Sequence, residues 1–140
     1  MSSMKEDIRL ALDNLEKAYS PYSNHPVSSV LYTKEGKSYT GINIENAAYS
    51  PTICAERTAF AKAVSEGERE FDRIIIVGGL HGQIEDYCPP CGVCRQVMME
   101  FCDPETFDVI LALDEDNYKL FKLKDLLPLG FGPSNLKDGK

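Results

Sequence analysis

The sequence contains no tryptophan, no long apolar run and no cluster of basic residues. No segment approaches the roughly 20 apolar residues that a membrane-spanning helix requires, so we expect no membrane partner. The first 20 residues are charged and amphipathic and do not have the apolar centre of a signal peptide. We therefore expect a cytoplasmic protein.

Positive charge is also scarce. There are 15 Lys and Arg residues against 22 Asp and Glu, which gives a net charge of −7. Because affinity for nucleic acid depends on basic side chains that neutralise phosphates, this composition disfavours a nucleic-acid partner. A small neutral or cationic ligand fits the charge better. At 140 residues, the chain is expected to form a single domain over residues 1–140.

The five cysteines cannot all pair in disulfides, because their number is odd. In a reducing compartment, closely spaced cysteines are more often metal ligands or catalytic groups than disulfide partners. Cys88, Cys91 and Cys94 lie within seven residues, whereas Cys54 is distant and Cys102 lies a little downstream. The cysteines therefore indicate a metal or catalytic site.

Hydrophobic periodicity predicts an alternation of helices and strands. Helices are predicted at residues 4–19, 54–66, 91–101 and, as a single turn, 123–128. Strands are predicted at residues 27–33, 37–44, 73–79, 107–113 and 118–123. The branched apolar residues 74–77 indicate a central strand buried on both faces. This order of elements predicts an α/β layer architecture around one sheet.

Two short stretches, Cys54-Ala55-Glu56 and Pro90-Cys91-Gly92-Val93-Cys94, indicate zinc chemistry. Zinc prefers tetrahedral thiolate and imidazole ligands, and catalytic sites commonly use three protein ligands and one water. Cys91 and Cys94 are one helical turn apart, so their sulfurs can converge. Pro90 suits a helix start, and the positive end of the helix dipole favours thiolates. Cys54, at the start of the other helix, is expected to supply the third sulfur.

Glu56 shares a helix face with Ala59, Phe60 and Ala63, which predicts that its carboxylate is buried. A buried carboxylate is costly unless it is paired or has a chemical role. Beside a zinc-bound water, whose pKa zinc can lower to about 7, it can shuttle protons. Arg57 is predicted to donate hydrogen bonds to sulfur and so offset the negative charge of three thiolates.

Each of these features has a simpler interpretation when taken alone. A single Cys-x-x-Cys often forms a structural zinc site. A glutamate in the first turn is favoured by the helix dipole, and a lone arginine is typically solvated or in an ion pair. The joint occurrence of the two stretches, each at a helix start, is far more specific.

Cys88 and Cys91 form a second Cys-x-x-Cys, so the choice of ligands needs an argument. We favour Cys91 with Cys94 because this pair follows Pro90 and opens the helix. The two prolines at 89 and 90 hold Cys88 in an extended segment that is poorly placed for convergence. Cys102 is most simply a small core residue.

The combined pattern resembles the cytidine deaminases of the small homotetrameric, zinc-dependent type, and it contains the known signature of zinc deaminases. The resemblance covers nearly the whole chain and is carried by the segments AYSPYSNHPV, GINIENAAYS, CAERTAF, KAVSEGE, PPCGVCRQV and DLLPLGFGP. It implies a three-layer αβα sandwich around one mixed five-stranded sheet.

The resemblance also implies a reaction: hydrolytic deamination of cytidine and deoxycytidine to uridine and deoxyuridine with release of ammonia, as part of pyrimidine salvage. One zinc ion per subunit, on Cys54, Cys91 and Cys94, would carry the hydroxide that attacks C4. Glu56 would protonate N3 and later the departing amine.

Further residues match binding positions of the family. Asn43 and Glu45 match residues that bind the sugar hydroxyls, and Ala55 and His25 match positions that contact the substrate. A carboxylate beside the sugar should also disfavour nucleotides relative to nucleosides. Two aromatic residues match contributions from neighbouring subunits, which is the basis for expecting a homotetramer: Tyr49 and Phe131.

Three departures from the family pattern stand out, and the additional Cys88 is one of them. His25 replaces the usual phenylalanine near the base, and histidine, although it can stack, is polar and titrates near neutrality. The segment VSSVL replaces a commoner Val-Gly-Ala-Ala-Leu, which adds the hydroxyls of Ser28 and Ser29 to a strand expected to be packed.

Two other functions compete with this interpretation. A structural zinc protein would fill the fourth zinc position with a protein ligand. A deaminase of RNA, DNA or another aminated heterocycle would share the catalytic groups. The acidic composition and the segment NIEN at 43–46 argue against polynucleotides, whereas His25 leaves a modified base open.

Overall fold

The computed structural model of the protein describes residues 2–136. Over this range the chain forms four α-helices and one five-stranded sheet. The helices are α1 (Met4–Asn14), α2 (Ala55–Ser65), α3 (Gly92–Phe101) and α4 (Leu123–Leu126). The strands are β1 (Val27–Thr33), β2 (Ser38–Ile42), β3 (Phe71–Gly78), β4 (Asp108–Ala112) and β5 (Tyr118–Lys122). Short 3₁₀ turns occur at Leu15–Lys17, Leu80–Gly82 and Pro133–Asn135.

The sheet has the strand order β2-β1-β3-β4-β5. β1 is antiparallel to both of its neighbours, β2 and β3. β3 and β4 are parallel, with α3 in the connection between them, and β5 is antiparallel to β4. The predicted mixed five-stranded sheet is therefore confirmed.

Both faces of the sheet are covered by helices. On one face, Ile8 and Ala11 of α1 pack against alternate strand residues that include Val30 and Ile75. On the other face, α2 and α3 pack against the intervening strand residues, among them Leu31, Ile74 and Ile76. Because β3 contributes to both clusters, its predicted burial on two faces is confirmed, and so is the three-layer αβα arrangement.

Two predicted elements are shorter in the structure by three residues or more. The helix predicted for residues 4–19 is α-helical only to Asn14, and the chain then passes through the 3₁₀ turn into extended backbone at Tyr19. The strand predicted for 37–44 ends at Ile42, because Ile44 forms isolated bridges with Tyr19 and Ile53 instead of continuing along β1.

The sheet topology explains where the two cysteine-bearing helices begin. β2 and β3 are both antiparallel to β1, so they run in the same direction. Their carboxyl ends therefore lie along the same side of the sheet, where these strands end. α2 is the next helix after β2, and α3 is the next α-helix after β3. Ligand sites in α/β proteins commonly lie at this edge.

Across residues 2–136, no helix combines the length and the apolar character needed to cross a bilayer. Residue 1 and residues 137–140 of the predicted domain lie outside the described residues. The single-domain boundary of 1–140 therefore stays a prediction.

Candidate active site

Three cysteine sulfurs converge between the first turns of α2 and α3. Cys54 is the N-cap of α2, Cys91 is the N-cap of α3, and Cys94 lies in the first turn of α3. Their Sγ atoms all lie within 4.8 Å of one another, with separations of 3.7 Å for Cys54–Cys91 and 3.5 Å for Cys91–Cys94. Zn–S bonds of roughly 2.3 Å in tetrahedral geometry place sulfurs about 3.8 Å apart. The thiol cluster therefore fits a zinc ion.

Local contacts fix the start of α3. The Cys91 sulfur takes the place of a capping oxygen, since it accepts the Cys94 backbone N–H at 3.4 Å. Arg95 donates from Nε to the Pro90 carbonyl at 2.8 Å and from Nη1 to the Leu126 carbonyl at 2.7 Å. The segment that carries Cys91 is thereby tied to the end of α4.

Arg57 supplies positive charge to the thiol cluster. Its Nη2 donates to Cys54 Sγ at 3.6 Å, as predicted from the sequence. Cys54 accepts hydrogen bonds from the Cys94 thiol and from Arg57, and these bonds lower the pKa of Cys54. The Cys94 thiol has the opposite shift: its role as donor to Cys54, together with burial, raises its pKa. A thiolate is therefore already favoured at Cys54, which is the protonation state that a metal requires.

Glu56 is buried beside this cluster. Its exposed fraction is 4%, and its helix neighbours Ala59, Phe60 and Ala63 are also buried, so the predicted core-facing orientation is confirmed. Burial raises the pKa of the Glu56 carboxyl to about 7. At neutral pH this group is able both to accept and to release a proton.

A cleft of about 260 Å³ opens onto the cluster. Seven of the residues predicted for the site line it: His25, Asn43, Glu45, Cys54, Ala55, Glu56 and Cys91. Residues on four separate segments of the chain thus meet around one cavity. A cavity of about 400 Å³ lies elsewhere, between the end of α3 and residues 132–134, and the thiol cluster is not part of it.

Glu45, which also lines the cleft, is held by the preceding loop. Its carboxylate accepts the backbone N–H groups of Tyr22 and Ser23, each at 3.0 Å, and the Ser23 hydroxyl at 2.5 Å. Partial burial opposes ionisation, but the hydrogen bonds from Ser23 and Tyr22 outweigh it and lower the pKa of Glu45. Glu45 is therefore a fixed, charged acceptor.

Asn43 is oriented by the backbone of residues 25–27. Its Oδ1 accepts the Val27 N–H at 2.9 Å, and its Nδ2 donates to the His25 carbonyl at 2.9 Å. The amide can still donate one N–H and accept at one lone pair. Both bonds also hold the chain at His25, which lines the same cleft.

The remaining predicted residues lie away from the cleft. Tyr49 is 73% exposed and lines an adjoining depression with Tyr22 and Glu45. Phe131 is 57% exposed, and its carbonyl accepts Gln96 Nε2 at 2.7 Å. Within the single described chain, neither residue lines the cleft with Glu56.

The other two cysteines take different positions. Cys88 lines the cleft but is not among the three clustered sulfurs, and burial raises the pKa of its thiol to about 11. Cys102 is buried in the core, as predicted.

Sequence reasoning did not identify Cys88 as a cleft residue or the donors from Tyr22 and Ser23 to Glu45. For Cys88, closeness to the Cys-x-x-Cys was an available signal. For Tyr22 and Ser23, the two prolines within the segment SPYSNHP (residues 20–26) indicate a loop, but no pattern indicates which side chain that loop holds.

Comparison with known proteins identifies the family of the chain. The family model for the cytidine and deoxycytidylate deaminase zinc-binding region matches residues 1–109. The chain belongs to this family. The resemblance inferred from the motifs is thereby confirmed, and membership makes the chain a zinc-dependent deaminase whose metal fits Cys54, Cys91 and Cys94.

Individual members of the family are similar over most of their length. A cytidine deaminase from Sporosarcina psychrophila is 44% identical over 121 residues, which cover 86% of this chain and 85% of the relative. One from Halalkalibacterium halodurans is 40% identical over 131 residues, with 94% and 96% covered. The crystal structure of cytidine deaminase from Burkholderia pseudomallei superposes with a TM-score of 0.84 at 40% identity and covers 93% of this chain and all of that one (100%).

Proposed function

We propose that the protein hydrolyses cytidine and deoxycytidine to uridine and deoxyuridine with release of ammonia. The names of its relatives support cytidine deaminase activity. The observation that carries the proposal is the buried Glu56 carboxylate, which lines the same cleft as Cys54 and Cys91.

Cys54, Cys91 and Cys94 would hold the zinc, which when bound supplies a Lewis acid that makes water nucleophilic near neutral pH. Glu56 would accept the proton that this water loses, and burial suits it to that task by raising its pKa to about 7. The same carboxyl would then deliver that proton to N3 of the base. It would later take a second proton from the hydroxyl that has added at C4 and pass it to the departing amine, which leaves as ammonia.

Arg57 would support this chemistry through the metal ligands. Three thiolates around one dication carry excess negative charge, which weakens the pull of the metal on water. The bond from Arg57 to Cys54 Sγ withdraws part of that charge. Arg57 therefore contributes without contacting the substrate.

Glu45 and Asn43 would bind the sugar. The Glu45 carboxylate is fixed by Tyr22 and Ser23 and can accept from a sugar hydroxyl. Asn43 lines the same cleft and keeps one free N–H donor. A fixed negative charge repels a phosphate at this position, so we expect nucleosides to be preferred to nucleotides. Ala55 and His25 would contact the base, because both line the cleft near Glu56.

Tyr49 and Phe131 would act on the active sites of neighbouring subunits in a homotetramer. Their exposure in the single chain, 73% and 57%, supports this assignment. We also propose a cytoplasmic role in pyrimidine salvage, which follows from the proposed substrate.

A structural zinc protein without catalysis is the main competing function. Among the described residues, the metal-binding group consists of three cysteines without a fourth ligand. A structural site usually has four protein ligands. The three-ligand cluster therefore favours an enzyme.

The direct test is to add cytidine to the zinc-loaded protein and to measure ammonia release. The wild type should turn over. Glu56→Gln should retain about one zinc per chain and lose kcat by roughly 1,000-fold, because it removes the proton-transfer group. Glu66→Gln, an exposed change at the other end of α2, is the matched control and should keep full activity.

Two results would contradict the proposal. A zinc-loaded wild type that releases no ammonia from cytidine or deoxycytidine would exclude this substrate class. Undiminished turnover by Glu56→Gln would remove Glu56 from the reaction.

A further inference from the structure

Two adjacent serines in β1 are completely buried, and each makes a hydrogen bond on a different side of the sheet. Ser28, with 0% exposed surface, accepts a bond from Asn14 Nδ2 of α1 at 3.3 Å. Ser29, also 0% exposed, donates from Oγ to the carbonyl of Ala55 at 2.9 Å. The two hydroxyls therefore tie the same strand to different helices.

The carbonyl that Ser29 contacts has an unusual location. Ala55 is the first residue of α2 and stands between the metal ligand Cys54 and the acid Glu56. As a helical carbonyl it also accepts the N–H four residues further on. The bond from Ser29 is thus an additional contact, made from the sheet to the backbone that carries both reactive groups.

The neighbouring strand fits the same helix start closely. Gly41 is the cross-strand partner of Ser29. A Cβ atom on Gly41 would lie 2.1 Å from the Ala55 carbonyl oxygen and 2.9 Å from Ser29 Oγ. The first turn of α2 therefore rests directly on the backbone of β2 and is held by a directional bond from β1.

We propose that Ser29 is a positioning residue for the deaminase site. Its bond to the Ala55 carbonyl holds the first turn of α2 against the sheet and so fixes where the Cys54 sulfur and the Glu56 carboxylate stand relative to Cys91 and Cys94. Catalytic rates are sensitive to sub-ångström placement of such groups. This inference rests on the proposed function where it is tested by kcat, whereas its test by the rate of zinc release does not depend on that function.

The test compares Ser29→Ala with Ser28→Ala. Both remove one buried hydroxyl from adjacent positions of one strand. In each variant the former partner of the lost hydroxyl keeps another hydrogen bond. The Ala55 carbonyl still accepts the helical N–H, and Asn14 Nδ2 still donates to the Gly41 carbonyl at 3.2 Å. The melting temperature should therefore fall by similar amounts in the two variants.

The two variants should differ at the active site. Ser29→Ala should lower kcat per bound zinc by about tenfold, because the Cys54 sulfur and the Glu56 carboxylate are less precisely placed. KM should stay within about twofold, because the residues that bind the substrate are unchanged. Zinc transfer to a chromophoric chelator should become at least about threefold faster, since Cys54 is less well placed. Ser28→Ala should keep wild-type kcat and zinc release.

Wild-type kcat and zinc release in Ser29→Ala would overturn the proposal, and so would equal losses in both variants, which would indicate general loosening. If Ser29→Ala does not fold, Ser29→Thr keeps the hydroxyl and should retain most of the kcat and the slow zinc release. A threonine variant that folds with fast zinc release would also overturn it. If the wild type does not deaminate cytidine, the proposed function fails, and the zinc-release comparison still decides the role of Ser29.

Discussion

At the scale of single residues, Glu56 shows how function opposes stability. Burial raises its pKa from 4.5 to about 7, so the folded state binds the carboxyl proton more tightly than the unfolded state does. The contribution of Glu56 to the stability of the folded state is therefore largest below pH 4.5, and it is lost as the pH rises through about 7. At neutral pH, an uncharged side chain at this position would make the fold more stable than the Glu56 carboxylate does. Such a cost in stability is expected of a residue that is retained for its chemistry.

The cysteines provide a test at the same scale. Cys88→Ser should leave about one zinc per chain, because Cys88 lies outside the sulfur cluster and its raised pKa keeps it a neutral thiol. Cys91→Ser is the matched comparison in the same segment and should lose most of the metal. Elemental analysis of the two purified variants measures the difference. Loss of zinc in Cys88→Ser would assign the ligands to the alternative Cys-x-x-Cys.

Part of the site could be predicted because its signals are local. The burial of Glu56 on the same face as Ala59 and the convergence of Cys91 with Cys94 depend on helical spacing, which the sequence displays directly. The hydrogen bonds of Glu45 could not be predicted in this way, since their donors at Tyr22 and Ser23 are more than 20 positions away. Contacts of this kind depend on how a loop closes and not on a repeating pattern.

At the scale of elements, the strand and helix order was predicted well and the element ends less well. β3 matched because a run of branched apolar residues has few alternatives. The ends of α1 and β2 differed from prediction for one shared reason: Tyr19 and Ile44 pair with each other across the loop region. Propensity along the chain does not reveal such a pairing, because it joins segments distant in sequence.

Gly41 allows a test of how closely α2 packs on the sheet. In Gly41→Ala the new Cβ would lie 2.1 Å from the Ala55 carbonyl oxygen and 2.7 Å from the Ala59 nitrogen. Both are backbone atoms, so the helix has to move, and we expect a loss of about 3 kcal/mol or more in the free energy of unfolding. Urea denaturation measures this loss.

Gly92→Ala is the matched control for this change. Its Cβ would meet no atom within 4 Å, and Gly92 is the first residue of α3. We expect it to be neutral or to stabilise by about 0.5 kcal/mol. Equal stability of the two variants would show that the start of α2 is not in tight contact with β2.

At the scale of the whole molecule, the topology accounts for the site. β1 lies between two strands of the same direction, which brings the starts of α2 and α3 to one edge of the sheet. The three sulfurs come from these two helix starts. The site is therefore a product of strand order. The exposed aromatic residues Tyr49 and Phe131, which lie outside the cleft, are candidates for contacts between chains.

A mixing experiment tests the proposed sharing of active sites. Glu56→Gln and Phe131→Ala should each be nearly inactive alone, since one removes the acid and the other a residue proposed to act on a neighbour. When the two are refolded together in equal amounts, about one quarter of the sites would combine an intact Glu56 with an intact neighbouring Phe131. Ammonia release should recover to about that fraction.

The control for this experiment mixes Glu56→Gln with Cys54→Ser. Both changes affect groups that one chain supplies to its own site, so mixing should restore nothing. Recovery of ammonia release in the control mixture would contradict a site shared in this way. So would the absence of recovery in the test mixture when both single variants are inactive alone.

The origin of the three sulfurs on two helices has a thermodynamic consequence. An ion held by Cys54 and Cys91 joins positions 37 residues apart in sequence, so it cross-links two segments that an unfolded chain would leave free. By mass action, each tenfold rise in free zinc above the dissociation constant would add about 1.4 kcal/mol to the stability of the folded state. The heat tolerance of this protein should accordingly follow the metal supply of its surroundings.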